Sequence, residues 1–527
     1  MNDHNLENDE AITALILSAS QDEAPPTSLQ EIYATLCQAR SEAHLDALTI
    51  LPPLLQTRRP GAKDIVALVG ECGSAKEVVI AVQEALERVS RAFAAEEHEE
   101  GEQSTPAERL LLLIYLSSAA IPRLKLRKKT PSDTLRPLLT QLERTLNLGG
   151  SQLSRTQGRE VINGVSQLVE SAFVWCQAFQ DDVRSATVIL ASLLENVVAN
   201  CANSIQSGAA QRSFEKFYAR LTVKSNVPSD WEAGAEAVQS VLTTYTSLGL
   251  TVKQPATPTV AYLVLLAHSE TLPPEINRLL TFLLPILISS LQTTHALDET
   301  LSLLLRSFHA PFFAAGHQLL PDVSGPLCAI LPTLASSHPD ALTRHQAFRM
   351  LSRILALTPP ELRVQILRDL VSDDSKQFPQ MRVAAVGLVK ESVLDALGKE
   401  SASIFTSPHF LQVFGPVLLR PDPIDFFDSE AARLSQLVES AEPPRLVECL
   451  SLYYILLLRD KSNRTGIRDR DQIANVEKTL LGPLRVWVVR ESELLEANDH
   501  AHLHAEMMPL VSLKTSLERV DAAVAGL

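Results

Sequence analysis

From residue 343 to residue 397 the chain reads TRHQAFRMLSRILALTPPELRVQILRDLVSDDSKQFPQMRVAAVGLVKESVLDAL, and this stretch decides the fold. Between residues 344 and 357, apolar side chains recur with the spacing of one helical face, which predicts a first helix. Thr358 is followed by two prolines and Glu361, a pattern that ends this helix and predicts Thr358 as the N-cap of a second. The second helix is expected to end at residues 372–374.

A third helix is predicted after Pro379. The residues from Val383 to Val389 have no polar side chain, so this helix is expected to be enclosed on nearly every side. Its small residues, Gly387 among them, predict a close approach by neighbouring helices. Because a helical hairpin followed by a buried helix is the building unit of α-solenoids, we predict an all-α fold, an irregular α-solenoid of HEAT-like helical hairpins.

The same stretch resembles the signature block of a eukaryotic family that joins glomulin, a plant lateral-root-formation protein and fungal YAP-binding and kinetochore proteins. The residues that carry the resemblance are Arg363, Asp369, Leu370, Pro379, Arg382, Ala384, Ala385, Gly387, Leu388 and Lys390. The resemblance implies a helical-repeat protein that has no catalysis of its own and acts by binding a protein client.

The resemblance leaves the client open. Animal members block the RING subunit of cullin ubiquitin ligases, which they contact with their C-terminal helical half. Fungal members bind a stress-responsive AP-1-type (bZIP) transcription factor of the oxidative stress response, or are kinetochore components. A membrane-coat or transport scaffold is a further alternative, because it would have the same fold.

Length and composition agree with an extended helical protein. A chain of 527 residues, of which 46% are hydrophobic and only 5% aromatic, requires several cores or one elongated stack. The segment 249–258 is rich in glycine, proline and threonine and predicts a boundary between an N-terminal helical-repeat region, 1–250, and a C-terminal HEAT-like region, 251–527. Three prolines and three aspartates between 416 and 428 predict an exposed acidic loop.

Charge and cysteine usage bound the environment and the partners. The formal net charge of −15 repels phosphate, so we expect no direct binding of nucleic acid. The six cysteines are far apart and no signal peptide precedes them, which predicts reduced thiols in the cytoplasm, with the nucleus as an open alternative. The longest apolar runs, 279–291 and 450–458, are shorter than the roughly 18–20 residues of a membrane span. We therefore expect each run to be a buried helix and the protein to have no membrane contact. We also expect the protein to be a monomer.

The basic run 123–129 has two interpretations. It is either a solvated helix end that faces the acidic loop 96–104, or a nuclear import signal or patch for an acidic partner.

Motifs of catalysis are missing from the sequence. It contains neither a phosphate-binding glycine loop nor a G-x-S-x-G or H-E-x-x-H motif. His500 and His504 have the helical spacing of a zinc pair, while His502 points elsewhere and no third ligand is evident. Cys72 has no basic neighbour that would activate it. We predict no catalytic residue, cofactor or metal, and keep an all-helical metal-dependent enzyme at these histidines as the alternative.

Three residues are candidates for partner binding. Arg382 and Lys390 are expected on related sides of the third helix, where they either face a client or anchor the repeat by pairing with carboxylates such as Asp369 or Asp373. Trp487 is a possible contact aromatic, although an aromatic side chain at helical spacing is more often part of the core.

Overall fold

The protein is described by a computed structural model. It places residues 3–38, 45–95, 103–126, 128–179, 182–222, 230–314, 316–372, 378–399, 403–428, 440–497 and 504–527. Helices make up most of these residues, and between them we find one isolated β-bridge, from Thr57 to Gln103. The chain divides into two compact units. Residues 1–273 with 285–307 form the N-terminal unit, and residues 274–284 with 308–527 form the C-terminal unit.

Up to Phe308 the described residues form fifteen helices, and the fourteenth contributes residues to both units. They are α1 (Asp3–Gln21), α2 (Leu29–Gln38), α3 (Ala47–Gln56), α4 (Ala62–Cys72), α5 (Ala75–Ala94), α6 (Pro106–Ala120), α7 (Pro131–Gly149), α8 (Arg155–Gln177), α9 (Val183–Asn200), α10 (Ala202–Ile205), α11 (Ala209–Phe217), α12 (Asp230–Ser247), α13 (Val260–His268), α14 (Ile276–Thr293) and α15 (Leu297–Phe308).

In the described residues of the C-terminal unit there are ten further helices, and a π-helical turn, Glu477–Leu481, joins the eighth and ninth of them. They are α16 (Pro311–Ala314), α17 (Pro321–Ser337), α18 (Ala341–Leu357), α19 (Pro360–Val371), α20 (Pro379–Gly398), α21 (Pro408–Leu418), α22 (Glu442–Arg459), α23 (Arg470–Val476), α24 (Gly482–Ala497) and α25 (His504–Ala525).

Packing within each unit confirms the predicted all-α fold of stacked helical hairpins. In the N-terminal unit α5 packs on α6 and α7, α6 on α8, and α7 on α9, so that each helix contacts its successor or the next but one. In the C-terminal unit α17 packs on α18, α19 on α20, α20 on α22, and α22 on α25. Such neighbour-to-neighbour packing is what allows helical repeats to bury a continuous core.

The three helices predicted between 343 and 397 correspond to α18, α19 and α20. No residue from Met381 to Lys390 is exposed, as the apolar run predicts. Thr358, however, does not cap α19. It is fully buried and donates its hydroxyl to the Ile354 carbonyl at 2.7 Å, which closes α18, while α19 begins after Pro359 without a side-chain cap.

The expectation that Gly387 lies against a neighbouring helix is wrong. A Cβ built on this glycine would meet no atom within 4 Å. The glycine faces open space on the one side of α20 that is not packed.

Two helices were not predicted from the sequence. Helix α4 follows Gly61, whose positive φ of 90° lets the chain turn into it. Helix α21 contains Pro416 and occupies the start of the predicted acidic loop. The rest of that loop is not simply exposed, because Phe426 and Phe427 are buried. Its residues 429–439 lie outside the described part.

The two apolar runs form helices, α14 and α22. Helix α14 is long and apolar enough to cross a membrane by length and composition alone, a test that core helices of soluble proteins also pass. Its Leu280, Leu283 and Leu287 are fully buried in the protein.

The two units meet along the chain between residues 273 and 308, which is after the proline- and threonine-rich segment 249–258. The division at residue 250 stays a prediction.

Candidate protein-binding surfaces of the C-terminal unit

Arg382, near the start of α20, anchors the turns on either side of it. Its Nε donates to the carbonyl of Val371 at 2.8 Å, and its Nη2 pairs with the carboxylate of Asp422. The side chain is mostly buried and joins the end of α19 to the chain beyond α21. The predicted alternative in which Arg382 anchors the repeat is therefore the one its contacts favour, with Asp422 as the carboxylate.

Lys390, two turns further along α20, has a comparable role. Its Nζ donates to Glu448 at 2.8 Å and to the Ser451 hydroxyl at 3.3 Å, both on α22. Asp369 is not its partner, and Asp373 lies outside the described residues. A partner-binding role for Arg382 and Lys390 stays a prediction, and a client would have to compete with these intramolecular contacts.

Trp487 lies in the interior of the C-terminal unit. It is 1% exposed, and its ring packs on Phe427 with centroids 5.8 Å apart. Helix α24 thus uses its tryptophan to hold the segment that follows α21. This position agrees with the alternative that an aromatic side chain at helical spacing belongs to the core. A role of Trp487 in contacting a partner stays a prediction.

A buried ion pair that was not predicted lies between Arg445 and Glu442, both on α22. The Nε and Nη2 groups of Arg445 each donate to a Glu442 carboxylate oxygen at 2.6 Å, and further bonds reach the carbonyls of Val417 and Arg420. Burial alone would disfavour the charged guanidinium, but Cys449 and Glu442 reverse this effect and hold the pKa of Arg445 above its usual value. Burial also raises the pKa of the Cys449 thiol to about 11. In the sequence, the three-residue spacing of Glu442 and Arg445 within one helix was the only feature that indicated this ion pair.

A groove of about 440 Å³ opens between α17 and two helices of the block that carries the family resemblance, α19 and α20. We call it the block groove. Gly325 and Ala329 of α17, Ile366 and Leu370 of α19 and Met381 of α20 give it an apolar lining. Asp369 and Arg382 also line it. Its size falls within the roughly 300–1,000 Å³ of typical ligand pockets, so it can accept apolar side chains of a partner.

The last two helices expose apolar side chains, which we call the C-terminal apolar residues. Val486 and Val489 of α24 are 71% and 52% exposed, and Met508 and Val511 of α25 are 62% and 48% exposed. On each helix the two residues are three positions apart and share a face. Helices α24 and α25 pack on each other. Exposed apolar side chains that share a helix face are candidates for contact with a protein partner.

Side chains that commonly bind metal ions do not cluster in the part of the chain that is described. There, no three His, Cys, Asp or Glu side chains are placed to hold a metal ion. His500, His502 and the side chain of His504 lie outside the described residues. Cys72 is exposed.

The basic run 123–129 is divided between structural and exposed residues. The guanidinium of Arg123 donates to the carbonyls of Gly73, at 2.7 Å, and Gly70. Lys125, Lys128 and Lys129 are exposed, and Arg127 lies outside the described residues. The targeting interpretation of this run stays a prediction, as does its pairing with the acidic loop, most of which is also outside the described part.

Residues 318–522 match the model of a family described as an uncharacterised protein family, YAP/Alf4/glomulin. The resemblance that begins at residues 343–397 is thus confirmed over this longer range, which includes the block groove and the C-terminal apolar residues. No individually curated protein matches the chain. An all-helical chain with this match fits a protein-binding adaptor.

Proposed function

From the match of residues 318–522 to the YAP/Alf4/glomulin family, we propose that this chain is a non-enzymatic adaptor that binds a protein client through its C-terminal unit. The observation that carries the proposal is the set of C-terminal apolar residues. Apolar side chains of similar exposure also occur in the N-terminal unit, at Val174 and Val188, but these lie outside the family match. The family match therefore supports the C-terminal set as the client surface.

For the client we propose one of the two classes that the resemblance implies. The first is the RING module of a cullin ubiquitin ligase, which the chain would inhibit, and the second is an AP-1-type transcription factor of the oxidative stress response. A kinetochore or transport scaffold is the remaining alternative. We further propose a cytoplasmic monomer, with nuclear entry open, that binds neither nucleic acid nor membranes.

Double substitution Val486→Asp with Val489→Asp tests the surface. We expect it to weaken client binding by at least about tenfold, because each aspartate would place a charge in an apolar interface. Binding is measured by affinity purification of the full chain with mass spectrometry, followed by titration with the purified cullin–RING module or bZIP factor. The matched control is Val174→Asp with Val188→Asp, which changes valines of equal exposure and is expected to leave binding unchanged.

Each outcome separates the alternatives. Recovery of cullin subunits, of a bZIP factor or of kinetochore proteins identifies the client class. Equal loss of binding in both double variants would contradict the assignment to the C-terminal unit. Stoichiometric zinc that is lost on His500→Ala with His504→Ala would instead favour the metal-dependent enzyme.

A further inference from the structure

A second groove of the C-terminal unit, of about 720 Å³, surrounds the turn between α18 and α19. We call it the turn groove. The end of α20 and the 3₁₀ turn Ile404–Thr406 form its other walls. Leu357, Ile404 and Phe405 give it apolar surface, and Arg363 of α19 also lines it.

Arg363 is 9% exposed and makes only part of the hydrogen bonds that its guanidinium can donate. Its Nη2 donates to the carbonyls of Ala356 at 3.1 Å and Thr358 at 2.9 Å, and the guanidinium lies 5.7 Å from the ring centroid of Phe405. Its Nε is buried and has no hydrogen-bond partner. Among the described residues, no carboxylate lies within ion-pair distance of Arg363.

Among the described residues, this arrangement leaves a buried positive charge without a counter-ion at ion-pair distance. Burial lowers the pKa of Arg363, since the charged form has lost water that carbonyl dipoles and an aromatic face replace only in part, and the more distant Asp395 carboxylate opposes this effect without reversing it. Arg445 shows the usual solution in the same unit, because it is even more deeply enclosed but forms two bonds to Glu442. For Arg363 an anion from outside the chain would supply the missing partner.

The charges around the turn groove favour an anion of single charge. Asp395 also lines the groove, but Lys399 neutralises it through a contact of 2.7 Å. Glu361 is exposed, and it is the only other carboxylate among the described residues that line the groove. One carboxylate can therefore pair with Arg363, whereas a doubly charged phosphate would meet stronger repulsion from Glu361.

We propose that the turn groove binds a client segment in which one aspartate or glutamate side chain pairs with Arg363 while flanking apolar side chains pack on Ile404 and Leu357. A charge-assisted hydrogen bond from a guanidinium to a carboxylate provides the selectivity, and the apolar walls provide contact area. The inference rests on the proposed adaptor function and names the chemistry of the client that this groove recognises.

Three fluorescent nonapeptides test the proposal with the full chain. They share flanking leucine and phenylalanine residues and differ at the central position, which is glutamate, glutamine or phosphoserine. By fluorescence polarisation we expect the glutamate peptide to bind about tenfold more tightly than the glutamine peptide, and Arg363→Met to abolish the difference. Arg363→Lys keeps the charge and is expected to keep part of the preference.

Equal affinity for the glutamate and glutamine peptides, or a preference that survives Arg363→Met, would overturn the proposal. Tighter binding of the phosphoserine peptide would overturn the assignment to a carboxylate. Because Arg363 also supports the turn after α18, thermal unfolding of Arg363→Met is measured in parallel.

Ile404→Trp provides a test that does not depend on Arg363→Met remaining folded. The larger side chain narrows the turn groove and is expected to weaken binding of the glutamate peptide, while Ile424→Trp, at a residue 78% exposed and outside the groove, should not. Unchanged binding in Ile404→Trp would also contradict the proposal. If the wild-type chain and Arg363→Met recover a client equally well, this inference is refuted and the proposed function stands. If the wild-type chain itself recovers no client, the proposed function is refuted.

Discussion

Several helical glycines of the two units have opposite surroundings. In the N-terminal unit Gly158 of α8 and Gly234 of α12 lie where an added Cβ would come within 2.1 Å of Ser204 Oγ and 1.9 Å of the Ile205 carbonyl oxygen, respectively. In the C-terminal unit a Cβ on Gly325, Gly387 or Gly415 would meet nothing within 4 Å. Gly158 and Gly234 therefore allow close contact in the first unit, whereas Gly325, Gly387 and Gly415 lie beside open space in the second.

The difference bears on function because open space is where a partner can bind. Gly325 lines the block groove, and Gly316 lines the turn groove. Both grooves lie in the unit that matches the family. The C-terminal unit also contains buried charge contacts, and among its described residues the Arg445–Glu442 pair is the most enclosed.

The largest expected effect is on that pair. Arg445→Met should lower the free energy of unfolding by about 3–5 kcal/mol, because it leaves the Glu442 carboxylate buried without its partner. Chemical denaturation measures the change. The control is Arg485→Met, which removes a partly exposed pair with Glu477 and Asp521 and should cost about 1 kcal/mol or less. Equal losses would show that the C-terminal unit does not depend on the buried pair.

A smaller effect is expected where the N-terminal unit is tightly packed. Gly234→Ala should destabilise the protein by about 1–3 kcal/mol, because the new methyl group would collide with backbone that cannot move as a flexible side chain can. Thermal and chemical unfolding measure the loss.

The matched substitution in the C-terminal unit is Gly387→Ala, which should raise the free energy of unfolding instead of lowering it. Alanine stabilises a helix interior by about 0.5–1 kcal/mol relative to glycine when nothing obstructs the methyl group. Destabilisation by both substitutions would remove the contrast between the two units.

An effect of similar size concerns a polar contact of the N-terminal unit. Asp182 accepts hydrogen bonds from the backbone N–H and the hydroxyl of Ser132, at 2.6 Å and 2.9 Å, at the start of α7. Slight burial would raise the pKa of Asp182, but these bonds outweigh it and hold the pKa below its ordinary value. Asp182→Asn should therefore lower stability at pH 7 by about 1 kcal/mol, after allowance for solvent screening.

The sign of the pH dependence follows from the lowered pKa. The folded protein binds this proton less readily than the unfolded chain, so the carboxylate stabilises the fold above the unfolded-state pKa of about 4 and loses this effect as the pH falls further. The stability difference between wild type and Asp182→Asn, measured by thermal unfolding, should thus shrink below pH of about 4. A difference that stays constant with pH would contradict the role of the ionised carboxylate.

The sequence predicted helices best where apolar periodicity and proline position agree. Helices α18, α19 and α20 have the predicted order and nearly the predicted ends, since Pro360 and Pro379 fit the first turn of a helix. The sequence did not predict helix α21, because a proline inside an apolar segment, here Pro416, is also typical of a loop. The candidate residues were identified by type and spacing, but their carboxylate partners, Asp422 and Glu448, lie 40 and 58 residues further along the chain.

By itself the sequence determined the all-α class, the helices of the 343–397 block and the family resemblance, because these depend on local periodicity, capping and residue identity. Only the tertiary structure decided that Gly387 faces open space, that Trp487 is buried and that no carboxylate of the described residues lies within ion-pair distance of Arg363. The reason is physical: periodicity fixes which side of a helix is apolar, whereas the presence of a neighbour on that side depends on residues far away in the chain.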